Sequence, residues 1–166
     1  MSEKIGTKLY RAIDAKQLTK VLAILSEKPE LVHECIARRS VLHMAAECDF
    51  PELVDKLVEL GCSPDVLDRD GYTPIYFPCS EGYLKVVEAL LDKGADIDGL
   101  KKAGPNGHID QTTPLVRAVR NGHADVVKLL LERGASLKVK DPKPLIERSK
   151  KFPEIEKLLI EANLDL

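Results

Sequence analysis

One spacing governs what this chain can fold into: its turn glycines, apolar positions and helix-opening residues recur at intervals of 33. Gly94 has Gly61 one interval before it, and Leu84, Val87, Leu90 and Leu91 have Pro51, Val54, Leu57 and Val58. Thr73-Pro74-Ile75-Tyr76 falls in the same way on Ser40-Val41-Leu42-His43, which Ala45-Ala46 follows. One interval earlier stand Thr7, Leu9, Ala12, Leu18, Val21, Ile24 and Leu25. In the other direction the interval lengthens to 40, reaching Thr113-Pro114-Leu115, Gly122-His123, Val127, Leu130, Leu131 and Gly134. A compressed last copy, Phe152-Pro153-Glu154-Ile155 with Leu158-Leu159, echoes Phe50-Pro51-Glu52-Leu53. A period of this length is one supersecondary unit that cannot bury its apolar face alone and must stack on its neighbours.

The stretch from Asp70 to Gly99 shows the unit most fully. Thr73 is placed to cap a helix, with Pro74 at its first position, where a missing N–H costs nothing. Gly82 punctuates the chain, and a second amphipathic helix carries Leu84, Val87, Leu90 and Leu91 on one face. Gly94 then ends that helix in the left-handed conformation. Each unit reads helix–turn–helix–turn.

A 33-residue period with a Thr-Pro-Leu-His-x-Ala opening resembles the ankyrin repeat. The resemblance runs over residues 4–166 in five units, 4–36, 37–69, 70–102, 103–141 and 142–166, within one domain spanning 1–166. It implies an all-α stack of helix–turn–helix units joined by β-turn or hairpin loops. The first unit lacks the proline, the second has Val41 in its place, and the fifth puts Glu156 where others are apolar. Such divergent end copies read as caps, because one face of each meets water.

Composition fits stacked small-residue helices, with 44% hydrophobic residues, only 4% aromatic and no Trp. Cys35, Cys48, Cys62 and Cys79 lack paired spacing, which favours a reducing compartment over a disulfide framework. The start, Met-Ser-Glu-Lys-Ile-Gly, has no apolar signal core, and no apolar run approaches a membrane span. The expectation is a cytoplasmic monomer that does not engage a membrane. His33, Cys35, His43 and Cys48 fit no compact tetrahedral spacing, so no metal is expected. His43 stands where the family places a histidine that knits adjacent turns by hydrogen bonds.

Charge is segregated: residues 47–98 hold 13 acidic and 4 basic side chains, and residues 99–151 hold 5 and 12. Two readings stand, solvated helix backs or a dipolar surface that orients a partner.

The third unit departs furthest, with Ile75-Tyr76-Phe77-Pro78-Cys79 in place of Leu-His-x-Ala-Ala. Pro78 removes the N–H that would bond the Pro74 carbonyl, which predicts a kink costing about 3 kcal/mol. Tyr76 and Phe77 then either fill space or are presented to a ligand. The 40-residue interval leaves 7 extra residues within 99–110, where Gly104-Pro105-Asn106-Gly107 marks a turn-rich loop. That insertion is either a neutral length change or a projecting binding loop.

No catalytic constellation and no phosphate-binding Gly loop after a strand appears, so neither an enzyme nor a cofactor is expected. Lys138, Lys140, Lys143, Arg148, Lys150 and Lys151 cluster towards the end, but Asp141 and Glu147 dilute them and no recognition motif accompanies them. A nucleic-acid-associated or targeting factor using residues 99–151 is the alternative reading. What the resemblance implies is a protein-binding module acting as adaptor or stoichiometric inhibitor through its concave face. Carried over by position, its contact residues are Arg39, Glu47 and Cys48, then Arg69, Asp70, Tyr72, Ser80 and Glu81. In the fourth unit they are Ile109, Asp110, Thr112, Arg120 and Asn121. Phe77 joins them through the proline kink, and Tyr72, with its ring projecting from the turn, and Arg120 are the expected anchors.

Overall fold

Helix-opening prolines, apolar faces at helical spacing and left-handed stops divide the chain into ten helices among the described residues. The computed structural model describes residues 4–33, 35, 36, 38–99, 113–137 and 143–162. The helices fall in five consecutive pairs: α1 (Ile5–Asp14) with α2 (Leu18–Glu27), α3 (Val41–Glu47) with α4 (Pro51–Glu59), and α5 (Tyr76–Glu81) with α6 (Leu84–Asp92). The fourth and fifth pairs are α7 (Pro114–Asn121) with α8 (Ala124–Glu132), and α9 (Lys143–Ser149) with α10 (Pro153–Glu161). A 3-10 turn at Pro29–Val32 stands where other units use a glycine turn. Beyond it, β1 (Cys35–Ile36) pairs antiparallel with β2 (Arg39–Ser40).

Helices this short are marginal alone in water, so their stability comes from stacking. First helices pack on first helices, α1 on α3, α3 on α5, α5 on α7 and α7 on α9. Second helices form a parallel row from α4 through α6 and α8 to α10. Leu57, Leu90, Leu130 and Leu159 lie fully buried along that second row. Each such side chain contributes about 1.5–3 kcal/mol by leaving water.

Polar bonds tie one unit to the next. The Asp65 carboxylate accepts from the Asp96 N–H at 2.9 Å, and Asp98 accepts from the Ser136 N–H at 2.8 Å. Lys16, Asp49, Gly82 and Gly122 occupy one register at the turn between paired helices, and all four have positive φ. Where glycine is absent, Lys16 Nζ donates to the Asp49 carbonyl at 2.6 Å and to its carboxylate at 3.2 Å.

Two expectations for the third unit need correction. Ser40 and Thr113 cap α3 and α7 through the His43 and Val116 N–H groups, each at 3.3 Å. Thr73 does not cap α5, because that helix opens two residues later in register, at Tyr76. The late start also absorbs Pro78. It falls in the first turn, where backbone N–H groups have no partner within the helix, so the interior-proline cost does not arise. The inserted segment at residues 100–110 lies outside the described residues.

Candidate functional site

The first helices α3, α5 and α7, with the turn before α5, enclose a pocket of about 260 Å³. The Asp68–Tyr72 turn builds one wall. Asp68 Oδ1 accepts from the Asp70 N–H at 2.8 Å and the Tyr72 N–H at 2.9 Å, while the Asp68 N–H donates to the Tyr72 carbonyl at 2.9 Å. A carboxylate that satisfies its own turn in this way fixes where Tyr72 leaves the backbone.

His43 sets the floor. Its Nε2 lies 3.0 Å from the Tyr72 carbonyl, which only accepts, so Nε2 carries the proton and Nδ1 accepts from the Ser40 hydroxyl at 2.8 Å. Burial holds its pKa below the ordinary 6.5. The bond to the Tyr72 carbonyl and the Asp68 charge oppose that shift, and the Arg39 charge adds to it. The linkage has a definite sign. Below about pH 6.5 the unfolded chain takes up a proton that the folded imidazole resists, so stability is lost as pH falls. The melting temperature of the wild type is expected to drop between about pH 7.5 and 5 more steeply than that of His43→Gln, which keeps a donor towards Tyr72. Equal slopes in differential scanning calorimetry would refute a neutral buried imidazole.

Above this floor lies a cation–aromatic stack. The Arg117 guanidinium sits 5.3 Å from the Tyr72 ring centroid and 5.5 Å from that of Tyr76, and the two rings are 5.2 Å apart, tilted by 59°. Desolvated contacts of this kind contribute about 0.5–2 kcal/mol. Tyr72 is half-buried against the core rather than projecting, which corrects the sequence expectation. Tyr76 occupies the register of His43 and, like it, reaches towards the following loop: a Cβ on Gly99 would lie 2.6 Å from its ring. The substitution has a consequence. Ser40 donates to an imidazole, but three residues after Thr73 a tyrosine takes its place, and Thr73 Oγ1 is buried without a hydrogen-bond partner among the described residues.

Arg39, Glu47, Tyr72, Phe77, Ser80 and Glu81 all line this pocket. Arg39 and Glu47 form an ion pair across the end of α3. Phe77 is 38% exposed, with its ring 6.3 Å from Tyr83. Arg69 and Asp70 sit outside it on the turn, where Asp70 pairs with Arg38 at 2.7 Å and the Arg69 N–H donates to the Arg38 carbonyl. Asn121 is committed to the neighbouring unit, donating to the Ser80 carbonyl and hydroxyl, both at 2.8 Å. Arg120 is exposed at the end of α7, and its carbonyl accepts from Arg148 Nε at 2.8 Å. Cys48 is half-buried, and Ile109, Asp110 and Thr112 lie outside the described residues.

Sequence reasoning missed His43, Asp68, Thr73 and Arg117 as pocket residues. Arg117 carried a signal: it stands in the register of Phe77 and Met44, a lone cation inside Leu-Val-Arg-Ala-Val. Of the basic cluster, Lys138 and Lys140 lie outside the described residues. The Cys62 and Cys79 thiols offer little nucleophilic character: burial pushes Cys62 up to about 11 and Cys79 higher still. Among the described residues no group of His, Cys, Asp and Glu is placed to hold a metal ion, and no helix is long and apolar enough to cross a membrane.

Five stacked helix pairs, with polar bonds running from each unit to the next, define a helical-repeat protein. The chain belongs to the ankyrin-repeat family: a model of three ankyrin repeats matches residues 9–101 and again 42–141. It is similar to the B-cell lymphoma 3 protein homolog of Mus musculus, 33% identical over 152 residues, covering 86% of this chain and 32% of that protein. It is also similar to NF-kappa-B inhibitor alpha of Sus scrofa, 32% identical over 108 residues, or 63% of this chain and 33% of that one. Glycerophosphocholine phosphodiesterase GDE1 of Candida albicans is 26% identical over 136 residues, which span 73% of this chain and 11% of that enzyme. The chain thus spans about a third or less of these relatives.

Proposed function

We propose that this chain is a non-catalytic protein-binding module that engages its partner along the concave side, on α3, α5, α7 and the turns before them. The observation that carries this reading is one continuous pocket built from three successive units, lined by an exposed ring, an ion pair and a guanidinium. Rings and Arg side chains are the groups that anchor protein interfaces. Catalysis is disfavoured by the commitments of His43: both ring nitrogens are already bonded, leaving no imidazole lone pair for general-base work. Sequence similarity to a protein named as an inhibitor, NF-kappa-B inhibitor alpha, supports action by occupying a partner. Adaptor and stoichiometric inhibitor are two uses of the same surface, and a cytoplasmic monomer is the form proposed for it.

The test compares two faces. Because Tyr72 helps to hold the stack, the exposed Phe77 replaces it as an anchor. Phe77→Ala and Arg120→Ala are expected to weaken a partner captured from lysate at least about tenfold in surface plasmon resonance. Their melting temperatures should stay close to wild type, since both side chains are substantially exposed. Lys85→Ala and Lys128→Ala, exposed on the second helices, should leave binding intact. Loss of binding in the second pair alone would move the interface to the other face.

A further inference from the structure

The charges in the pocket are unequally committed. Glu47 is closed on Arg39, and the Arg117 guanidinium lies over the Tyr72 and Tyr76 rings. Asp68 uses one carboxylate oxygen for its turn, and neither Asp68 nor Glu81 has an ion pair among the described residues. Phe77 and Glu81 are four residues apart on α5, so they share a face. In the same pocket Thr73 Oγ1, on a residue only 1% exposed, has no hydrogen-bond partner among the described residues. The site therefore offers a ring, the Glu81 carboxylate, the second oxygen of Asp68 and an orphaned hydroxyl.

We infer that this pocket receives the cationic side chain of an arginine or lysine carried on an extended basic segment of the partner. The inference rests on the binding-module reading and names the chemistry of the partner. The aliphatic stem of such a side chain packs on Phe77, and its head meets Glu81 and the open oxygen of Asp68. A cation also supplies N–H donors to the Thr73 hydroxyl, whose other candidate partner, an imidazole, is replaced here by Tyr76. An acidic side chain meets like charge from Asp68 and Glu81. A purely apolar one buries the Glu81 carboxylate uncompensated. The acidic excess over residues 47–98 extends the attraction beyond contact range.

The probe is a fluorescein-labelled dodecapeptide of alternating Arg and Ser, titrated with the full chain and read by fluorescence anisotropy. Saturable binding is expected, with none to the matching Asp-Ser peptide. Phe77→Ala and Glu81→Lys should each weaken it at least about tenfold. Glu52→Lys makes the same charge change at an exposed site on α4 and should alter affinity by less than about threefold. Thermal melts establish that each variant is folded, and Glu81→Lys, wholly at the surface, decides the matter if Phe77→Ala is not. Failure of the arginine peptide to bind the wild type would overturn the inference. So would equal losses in Glu52→Lys and Glu81→Lys, which would mark general charge attraction. If the captured partner depends on Phe77 and Arg120 while the arginine peptide does not bind, this inference falls and the binding-module reading stands.

Discussion

Truncating Leu90 to alanine is expected to lower stability by about 2–5 kcal/mol, measured by urea denaturation. Leu90 is fully buried on α6, an interior helix of the second-helix row that packs against α4 on one side and α8 on the other. The helix that carries it therefore belongs to two inter-unit interfaces as well as packing on α5. Leu159 is equally buried, but α10 has a described second-helix neighbour only in α8. In a stack whose stability is a sum of unit and nearest-neighbour terms, an interior truncation removes more than a terminal one. Leu159→Ala is thus expected to shift the midpoint less than Leu90→Ala. Leu90→Ala is further expected to separate the unfolding of the two flanks, broadening the transition seen by circular dichroism. Equal losses at the two positions would mean that neighbour coupling contributes little here.

The repeat was legible in the sequence because it is written redundantly. Left-handed stops at Gly61, Gly94 and Gly134, prolines opening α4, α7 and α10, and leucines at helical spacing all report the same period. His43 was also legible, since the family resemblance places at that position a histidine that bonds between turns. The errors concern places where register and local chemistry part. Pro78, read against the register of Pro74, appears interior. The chain resolves the conflict by starting α5 two residues late, at the expense of the Thr73 cap. No single-position rule anticipates that exchange, because the loss of one feature compensates for the other.

The pocket was legible only in part, for a related reason. Positional carry-over found residues along one strip of the stack, including Glu47, Ser80 and Glu81. It also included Asn121, an exposed residue whose amide the structure bonds to Ser80 of the preceding unit. It left out Arg117 because an arginine on a helix reads as solvated until two tyrosines from the preceding unit are placed beneath it. Which side chains face a partner and which face the next unit is decided across the stack, at separations of about one period. Local pattern does not carry that information.

Gly82 and Gly94 allow the two halves of a glycine's role to be measured separately. Their backbones are nearly alike, with φ of 79° and 85°. In either place a Cβ in the left-handed region costs about 1–2 kcal/mol. Their surroundings differ completely: nothing lies within 4 Å of a Cβ added at Gly94, whereas one at Gly82 would lie 2.4 Å from the His123 ring. That ring cannot swing away freely, because His123 Nε2 donates to the Ser80 carbonyl at 2.8 Å. Gly94→Ala is therefore expected to show the backbone term alone, about 1–2 kcal/mol. Gly82→Ala should add an overpacking term and reach about 2–4 kcal/mol in the same denaturation assay. A double-mutant cycle isolates the added part. With His123→Ala in place, Gly82→Ala should cost no more than Gly94→Ala, a coupling of about 1–2 kcal/mol between sites 41 residues apart in sequence. Additive losses would show that the ring moves aside and that glycine stands at position 82 for its backbone only. A positive coupling would show that the His123 ring, held by its bond to Ser80, packs tightly against position 82 at the junction between the third and fourth units.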